Sequence, residues 1–238
     1  MNQHGRYGTA GRPSDKGNRL SGRLIAIGDI HGCDIAFDLL LRQINPSADD
    51  ITIALGDYID RGPNSKGVVN RLIQLSQVTS LVPLLGNHEE MMLAVLQGER
   101  EHADWLRFGG VETLESYGFQ GDRDFLPPEH AQFFGELLNY YETDDFFFTH
   151  AAYDPQLPLE EQPAELLRWH SLRDGMPEPH QNGKTAVVGH TANRSGQIVR
   201  TDHLICLDTY CYGGGWLTAM DLRTGQTWQA NQAGELRR

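Results

Sequence analysis

Short apolar runs that end in a glycine and a polar residue alternate with stretches of helical periodicity in the first part of the chain. The runs LIAIGD, ITIALGD and SLVPLLGN read as strands, and DIAFDLLLRQI, SKGVVNRLIQL and EEMMLAVLQ follow them as helices. Strands that alternate with helices of about three turns form βαβ units with right-handed crossovers and parallel neighbours. The N-terminal part is therefore predicted to be a βαβαβ core.

The rest of the chain carries a helical segment and then more strands. Residues 100–142 have mainly helical character, and the Pro-rich residues 154–163 are typical of a surface loop rather than a domain boundary. We expect one domain over residues 24–238, of the α/β (α+β) class. The further predicted strands are DDFFFTHA, TAVVGHT, GQIVR, LICLDTY, GWLTAMDL and QTWQA, the last few of them antiparallel.

Charge and composition exclude several classes of protein. Residues 1–23 hold five basic residues, one acid and little to bury, so we expect a disordered basic tail. The net charge of −12 argues against non-specific nucleic-acid or membrane binding, because phosphate groups select Lys and Arg. There is no apolar run near the ~18 residues that span a bilayer, the N-terminal residues lack the hydrophobic core typical of a signal peptide, and the chain has only three cysteines. We expect a cytoplasmic protein, and its oligomeric state stays open.

The carboxyl ends of five predicted strands carry side chains that can bind metals or move protons. In open α/β sheets, ligands bind beyond these ends, so residues far apart in sequence should converge there. A glycine directly before four of the clusters permits a sharp turn and a close backbone approach. The clusters are Asp29 with His31; Asp57 with Asp60 and Arg61; Asn87 with His88 and Glu89; His150; and His190.

Six of these side chains are metal-ligand types. Carboxylate, imidazole and amide oxygen together suit first-row divalent ions such as Mn²⁺, Fe²⁺ or Zn²⁺. Six ligands are more than one ion with open water positions needs. Two ions ~3.5–4 Å apart that share Asp57 would use all six and leave room for a bridging hydroxide. The six are Asp29, His31, Asp57, Asn87, His150 and His190.

Each of these residues alone has an ordinary structural explanation. An Asp or Asn after a strand is commonly a turn former or a helix cap. A histidine such as His150 or His190 in an apolar run is commonly packed or hydrogen-bonded, and Arg61 alone would be a solvated charge or an ion-pair partner. The metal interpretation rests on joint occurrence, because ligand-type residues follow five strands of one chain.

The motifs GDIHG, GDYIDRG, GNHE, the THA after a strand, and GHT resemble, in order and spacing, the phosphoprotein phosphatase branch of the calcineurin-like metallophosphoesterases. The similarity runs from about residue 24 to residue 222. NHEEMM, WLRFGG and LDTYCYGGGWLT look most like the small bacterial and bacteriophage-lambda type of serine/threonine protein phosphatase. The resemblance implies a two-sheet β-sandwich flanked by helices, with a dinuclear centre for which Mn²⁺ is the preferred ion and Fe or Zn the alternatives.

The same resemblance implies how the ligands divide between two ions. It assigns one ion to Asp29, His31 and Asp57, and the other to Asp57, Asn87, His150 and His190. The expected reaction is direct in-line attack on phosphorus by the hydroxide between the two cations, without a phosphoenzyme.

Three further residues are expected to assist the reaction. His88 would protonate the departing alkoxide, and Asp60 would orient and stabilise the His88 imidazolium. Arg61 offers a planar fork for two phosphate oxygens. We therefore predict His88, Asp60 and Arg61 as catalytic residues.

Substrate contacts outside this set are harder to place. The family expects a second phosphate-binding arginine, but Ser171 stands at its position; Arg168 and Arg173 flank it, and we favour Arg173. Tyr212 lies in a loop that the resemblance places near the mouth of the site. It is predicted to contact substrate, although a plain hairpin is an equal alternative.

Two functions fit the motifs. The leading prediction is a metal-dependent serine/threonine protein phosphatase, whose partner is a phosphorylated protein or peptide. The alternative is a symmetrical dinucleoside tetraphosphate hydrolase, which shares the metal motifs and the CYGGGWLT segment. Asp60 and Glu89 favour the phosphatase, because the hydrolases lack the acid at the first position and read NHD. A phosphopeptide-binding module with a decayed centre is disfavoured, since every ligand position is filled.

Overall fold

The computed structural model describes residues 22–122 and 124–237. The predicted basic tail lies outside the described residues as far as position 21. Arg23, at its end, belongs to the folded part. Its backbone nitrogen and its Nη2 donate to the carboxylate of Asp50 over 2.9 and 2.6 Å. The sequence analysis placed the start of the domain one residue later, at Leu24.

The first sheet contains the predicted βαβαβ core. Strands β1 (Leu24–Ile27), β2 (Ile51–Ala54) and β3 (Ser80–Pro83) are parallel. The late strands β9 (Leu217–Asp221) and β10 (Thr227–Ala230) return to this sheet and extend it antiparallel. The spatial order is β10-β9-β1-β2-β3, which confirms the core that the alternating pattern predicted.

The second sheet is built from the middle of the chain. Its strands are β4 (Tyr140–Glu142), β5 (Phe146–Thr149), β6 (Thr185–Val188), β7 (Val199–Arg200) and β8 (Leu204–Cys206), in the order β4-β5-β6-β8-β7. The strands β5, β6 and β8 are parallel, while the edges β4 and β7 are antiparallel. The expected antiparallel run therefore holds for β9 and β10, whereas β8 pairs parallel to β6.

Helices pack against the outer face of the first sheet, and loop residues such as Tyr153 and Leu172 pack against that of the second. Residues 100–142, expected to be mainly helical, form three short helices and the strand β4, joined by a π-helical turn at Leu106–Gly110. The helices are α1 (Asp34–Ile44), α2 (Ser65–Leu75), α3 (Asn87–Leu96), α4 (His102–Trp105), α5 (Val111–Tyr117), α6 (Pro128–Gly135) and α7 (Ala164–Trp169).

The side chains along β1 alternate between two apolar layers. In β1, Leu24 and Ala26 belong to a cluster that also contains Phe148 and Val187 of the second sheet. The neighbouring Ile25 instead packs with residues of the helices. Successive side chains of a strand point to opposite faces, so the shared cluster is the layer between the two sheets. The fold is a two-sheet sandwich flanked by helices, as predicted.

Two further expectations can be compared with the structure. Cys33, Cys206 and Cys211 are buried, and all three are free thiols. Among the described residues, no helix is both long and apolar enough to cross a membrane.

Candidate active site

Five strands direct their carboxyl ends toward one region between the sheets. The loops after β1, β2 and β3 carry Asp29 and His31, Asp57, and Asn87; those after β5 and β6 carry His150 and His190. These side chains are buried except that of His190, which is half-buried. The strand ends thus meet as expected from the arrangement of open α/β sheets.

The two sheets approach closely at Gly56. Its φ is +102°, and a Cβ built there would lie 2.7 Å from Nδ1 of His150 and 2.8 Å from the backbone nitrogen of Gly86. A glycine is needed on both counts, because other residues rarely adopt this φ and real Cβ atoms do not approach other atoms so closely.

Several site residues have left-handed backbone conformations. The φ angles of His31, Asp57 and Asp60 are +46°, +52° and +71°. Those of Arg61 and His190 are +68° and +61°. Such conformations cost about 1–3 kcal/mol each and persist only where the surroundings enforce them.

Glu89 enforces the turn after β2. Its fully buried carboxylate accepts hydrogen bonds from the backbone nitrogens of Asp57 (2.9 Å), Tyr58 (2.8 Å) and Gly86 (3.1 Å). The sequence analysis used Glu89 only to separate two families and missed this role. Its position two residues after Asn87, at the start of α3, could have suggested it, because acids at helix N-termini bind backbone N–H groups.

Backbone carbonyls fix the tautomers of two histidines. Nδ1 of His31 bonds the carbonyl of Ile59 over 2.9 Å, and Nδ1 of His150 bonds that of Leu55 over 2.7 Å. A carbonyl only accepts, so each Nδ1 carries the proton and each Nε2 presents a lone pair. Both lone pairs face Asp57, at 3.4 Å from its carboxylate oxygens. This is the arrangement that orients histidines for a metal.

The surroundings of Asn87 fit a cation. Its Oδ1 lies 3.1 Å from Nε2 of His150 and 3.0 Å from Nδ1 of His190, and the Asp57 carboxylate is beside it. With the oxygen inward, lone pairs from four residues face one another without a donor. A rotated amide could donate to them through its NH₂ group, but a divalent cation satisfies them with the oxygen inward.

Two groups of ligand atoms share Asp57. One group consists of His31, Asp57 and His88, and the other of Asp57, His150 and His190. Within each group the ligand atoms lie within 4.8 Å of one another. The buried His/Asp arrangement is consistent with a dinuclear centre bridged by Asp57. Asp29 lies at its edge, where its carboxylate accepts the backbone N–H of His190 over 2.9 Å. The assignment of Asp29 and His31 to one ion stays a prediction.

His88 and Asp60 form a buried pair beside this centre. Nδ1 of His88 and Oδ2 of Asp60 are 2.7 Å apart, and Trp105 and Thr113 also donate to the carboxylate. Burial raises the pKa of Asp60 to about 8, which these two donors oppose, and lowers the pKa of His88 to about 4. The His88–Asp60 pair therefore shares one proton in the 2.7 Å hydrogen bond between its two side chains. Within the described part of the chain, Nε2 of His88 has no hydrogen-bond partner.

Arg61 and Tyr212 lie at the mouth of the centre. Nη1 of Arg61 is 3.2 Å from Nε2 of His31, and its Cζ lies 4.5 Å above the ring of Tyr212. The Tyr212 ring also packs edge-on against His31, with 4.7 Å between ring centroids. Both side chains are half-buried. The predicted catalytic and substrate-binding residues Arg61 and Tyr212 are therefore brought to the metal groups.

The two candidate arginines after β5 lie in different places. Arg168 is fully buried and donates to Glu90 (2.7 Å) and Asn139 (2.8 Å), so it is a structural residue. Arg173 is exposed and donates to the carbonyl of Ala192, two residues after His190. The structure does not bring Arg173 into the metal groups, and its phosphate-binding role stays a prediction.

One buried acid was missed by the sequence analysis. Asp208 follows β8 as the other residues follow their strands, and it is 2% exposed. Burial raises its pKa to about 6, and its charge contributes to raising the pKa of Asp29. Its position two residues after an apolar strand, in LICLD, is the signal that could have identified it.

Comparison with known proteins identifies a matching family and several relatives. The family model described as calcineurin-like phosphoesterase matches residues 22–217. A symmetrical bis(5′-nucleosyl)-tetraphosphatase of Acidovorax ebreus (strain TPSY) is 36% identical over 142 residues, which cover 58% of this chain and 47% of that protein. One of Glaesserella parasuis serovar 5 (strain SH0165) is 26% identical, covering 82% and 92%. The chain spans about half the length of the first of these curated relatives.

Solved structures share the fold. A candidate diadenosine tetraphosphatase superposes with a TM-score of 0.69 and 23% identity, covering 94% of this chain and 98% of that one. A cold-active protein tyrosine phosphatase superposes with a TM-score of 0.66 and 16% identity, covering 91% and 78%. At these identities the similarity concerns the fold alone.

Proposed function

Since the chain belongs to the calcineurin-like phosphoesterase family, we propose that it is a metal-dependent hydrolase of bis(5′-nucleosyl) tetraphosphates. The observation that carries this proposal is the similarity to symmetrical tetraphosphatases, at 36% identity over 142 residues. It reverses the order of the two functions that the sequence analysis considered. The substrate would be a small polyanion, rather than the phosphorylated protein or peptide expected first.

The residues of the centre support hydrolysis at phosphorus. Two divalent cations bound there would supply positive charge and Lewis acidity to a phosphate group. In this proposal Asp57 is shared by both, since its two carboxylate oxygens lie 3.4 Å from His31 and from His150. Mn²⁺ remains the preferred ion, with Fe²⁺ or Zn²⁺ as alternatives. The ligands are those named above: Asp29, His31, Asp57, Asn87, His150 and His190.

The remaining residues orient the substrate and move a proton. Arg61 presents its guanidinium at the mouth, where it can bind two phosphate oxygens. Its stacking on Tyr212 holds it there. Nε2 of His88 would transfer a proton to the departing oxygen, while Asp60 holds the imidazole through Nδ1.

The test is a comparison of substrates on one preparation. The metal-stripped chain, reloaded with Mn²⁺, is assayed with bis(5′-adenosyl) tetraphosphate and with phosphoserine and phosphothreonine peptides. We expect kcat/KM for the dinucleotide to exceed that for either peptide at least about tenfold, a difference of ~1.4 kcal/mol in transition-state binding. A higher kcat/KM for a peptide would contradict the proposal.

A protein phosphatase remains the second candidate, because of the His88–Asp60 pair. An alkoxide released from phosphoserine is a strong base that needs a proton in the transition state, whereas a nucleoside diphosphate is a weak base that needs little help. Trp105 and Thr113 both donate to the Asp60 carboxylate of this pair. A His–Asp pair that is held by these hydrogen bonds is suited to donate a proton, which favours a substrate with a poor leaving group.

Asp60→Asn tests whether the His88–Asp60 pair acts as an acid. If the pair serves mainly as an acid, kcat should fall about 10-fold or more for alkyl phosphates and much less for bis(5′-adenosyl) tetraphosphate. Equal losses for both substrates, with unchanged metal content, would remove Asp60 from proton transfer and leave it a structural role.

A further inference from the structure

A cavity of about 630 Å³ opens beside the candidate active site. It lies between the segment after α7 and the turn after β6, and its size is within the ~300–1,000 Å³ of ligand pockets. Thr191 lines it and follows His190 directly, at the half-buried edge of the metal groups. Its lining includes Leu172, Arg173, Met176, Thr191, Arg194 and Val199.

The lining combines apolar surface with two arginines. Leu172 and Val199 are apolar, and Met176 is 42% exposed although it is a large hydrophobic residue. Arg173 and Arg194 are exposed, and within the described residues neither forms an ion pair. Two such arginines without an acidic partner, in a chain of net charge −12, provide a local site for an anion.

Stacked rings connect this cavity to the active site. The guanidinium of Arg194 lies 5.4 Å from the ring of Tyr210, and that ring lies 4.9 Å from Tyr212. Tyr212 in turn lies 4.7 Å from His31. An anion held by Arg194 is therefore separated from the metal groups by two tyrosine rings.

We propose that this cavity binds one nucleoside diphosphate arm of the dinucleotide substrate. The inference rests on the proposed function, and it adds a binding site for the part of the substrate that does not react. Arg173 and Arg194 bind the phosphates of this arm, and the nucleoside lies on the apolar surface of Leu172, Met176 and Val199. Binding energy from such a remote part orients the reacting phosphate.

Arg173→Gln and Arg194→Gln test the phosphate contacts. Each should raise KM for bis(5′-adenosyl) tetraphosphate about tenfold, because a charge-assisted hydrogen bond to its phosphates is lost. Arg194→Gln should not change kcat more than about twofold, or KM for phenyl phosphate, which has no second arm. Arg42→Gln is the matched control: it removes the same charge from a side chain that is 73% exposed and pairs only with Asp38 among the ion pairs described.

Binding of adenosine 5′-diphosphate, measured by calorimetry on the metal-free chain, gives an independent readout. Its Kd should rise about tenfold in Arg173→Gln and Arg194→Gln and stay unchanged in Arg42→Gln. Met176→Ala should weaken adenosine 5′-diphosphate and leave inorganic pyrophosphate unaffected, because only the former carries a nucleoside. The inference would be overturned if every variant bound adenosine 5′-diphosphate and pyrophosphate with the same Kd values as the unsubstituted chain.

The outcomes distinguish this inference from the proposed function. If the chain hydrolyses the dinucleotide and the variants keep its KM, the cavity assignment is wrong and the function stands. If the chain fails on the dinucleotide, the function is wrong, and calorimetry alone decides the cavity. If the variants raise KM for a phosphoserine peptide instead, the occupant is a peptide and the inference is wrong.

Discussion

The two sheets contribute to the active site in different ways. The first sheet supplies dense motifs, in which Asp57, Asp60 and Arg61 lie within five residues and are held by short hydrogen bonds such as Ile30 N–H to the Asp57 carbonyl (3.0 Å). The second sheet supplies single histidines. His150 and His190 are fixed by contacts across the sandwich, to the carbonyl of Leu55 and to the carboxylate of Asp29.

This difference separates control within one sheet from control across the sandwich. The turn after β2 in the first sheet is held by groups on the same side of the sandwich, such as the carboxylate of Glu89, so changes there should alter the chemistry directly. The histidines of the second sheet depend on how the sandwich is assembled, so changes in packing should reach them through the fold. The following experiments examine this distinction.

Asp57→Asn should have the largest effect, because Asp57 belongs to both ligand groups. We expect a loss of about 10³-fold or more in kcat/KM, since metal catalysis contributes several kcal/mol. Metal content, measured by elemental analysis, should fall toward one ion or none. Full metal content with full activity would show that the two sheets do not meet at this residue.

His88→Asn should lower kcat for phenyl phosphate ~10²–10⁴-fold, because general acid catalysis is lost. Metal content should stay near that of the unsubstituted chain, since a proton donor rather than a ligand has been removed. If metal content falls instead, His88 is a ligand, as its place in the His31–Asp57 group would allow.

Arg168→Met tests the connection between the sheets. Arg168 in α7 and Glu90 in α3 form a buried ion pair of 2.7 Å, and Trp169 donates to the same carboxylate over 2.5 Å. Removing one partner of a buried pair costs about 3–5 kcal/mol, which urea unfolding should detect. Arg42→Met, at an exposed pair, should change stability by less than ~0.5 kcal/mol.

A second change tells whether charge or packing is responsible. Replacing both partners, in Arg168→Met with Glu90→Leu, should recover most of the lost stability, because no buried charge is left without a partner. A double variant as unstable as the single one would attribute the loss to packing.

Asp50→Asn should have the smallest effect, and it should depend on pH. Hydrogen bonds from Arg23 and Ser47 lower the pKa of Asp50, despite its burial, below its usual range. A group with a lowered folded pKa stabilises the fold above its unfolded pKa of ~3.9 and loses this effect as pH falls. The unsubstituted chain should exceed the variant by about 1–2 kcal/mol at pH 7, and by less near pH 3, in urea titrations. A pH-independent difference would contradict this.

The core of the fold and the ligand positions were predictable because their signals are local. The alternation of apolar runs and helical periods predicted β1, β2 and β3 with the helices after them. The rule that parallel strands meet at their carboxyl ends then brought Asp57, His150 and His190 together.

Other features depend on contacts that no local pattern reports. Whether Arg168 or Arg173 faces the site could not be read from LLRWHSLRDG, because the answer depends on Glu90, 78 residues away. The hydrogen bonds from Trp105 and Thr113 to Asp60 span 45 and 53 residues. The return of β9 and β10 to the first sheet is long-range in the same sense. Arg194, which lines the cavity beside the site, belongs to none of the motifs in the sequence analysis.

The narrow clearance at Gly56 makes the centre sensitive to a single methyl group. An alanine there would have to push His150 or the Gly86 backbone outward, since its Cβ would lie 2.7–2.8 Å from both. Metal–ligand bonds tolerate changes of only about 0.2 Å. A single added methyl group at Gly56 would thus move the donor atoms too far apart to bind one ion. We expect that an active form of the chain keeps glycine at this position.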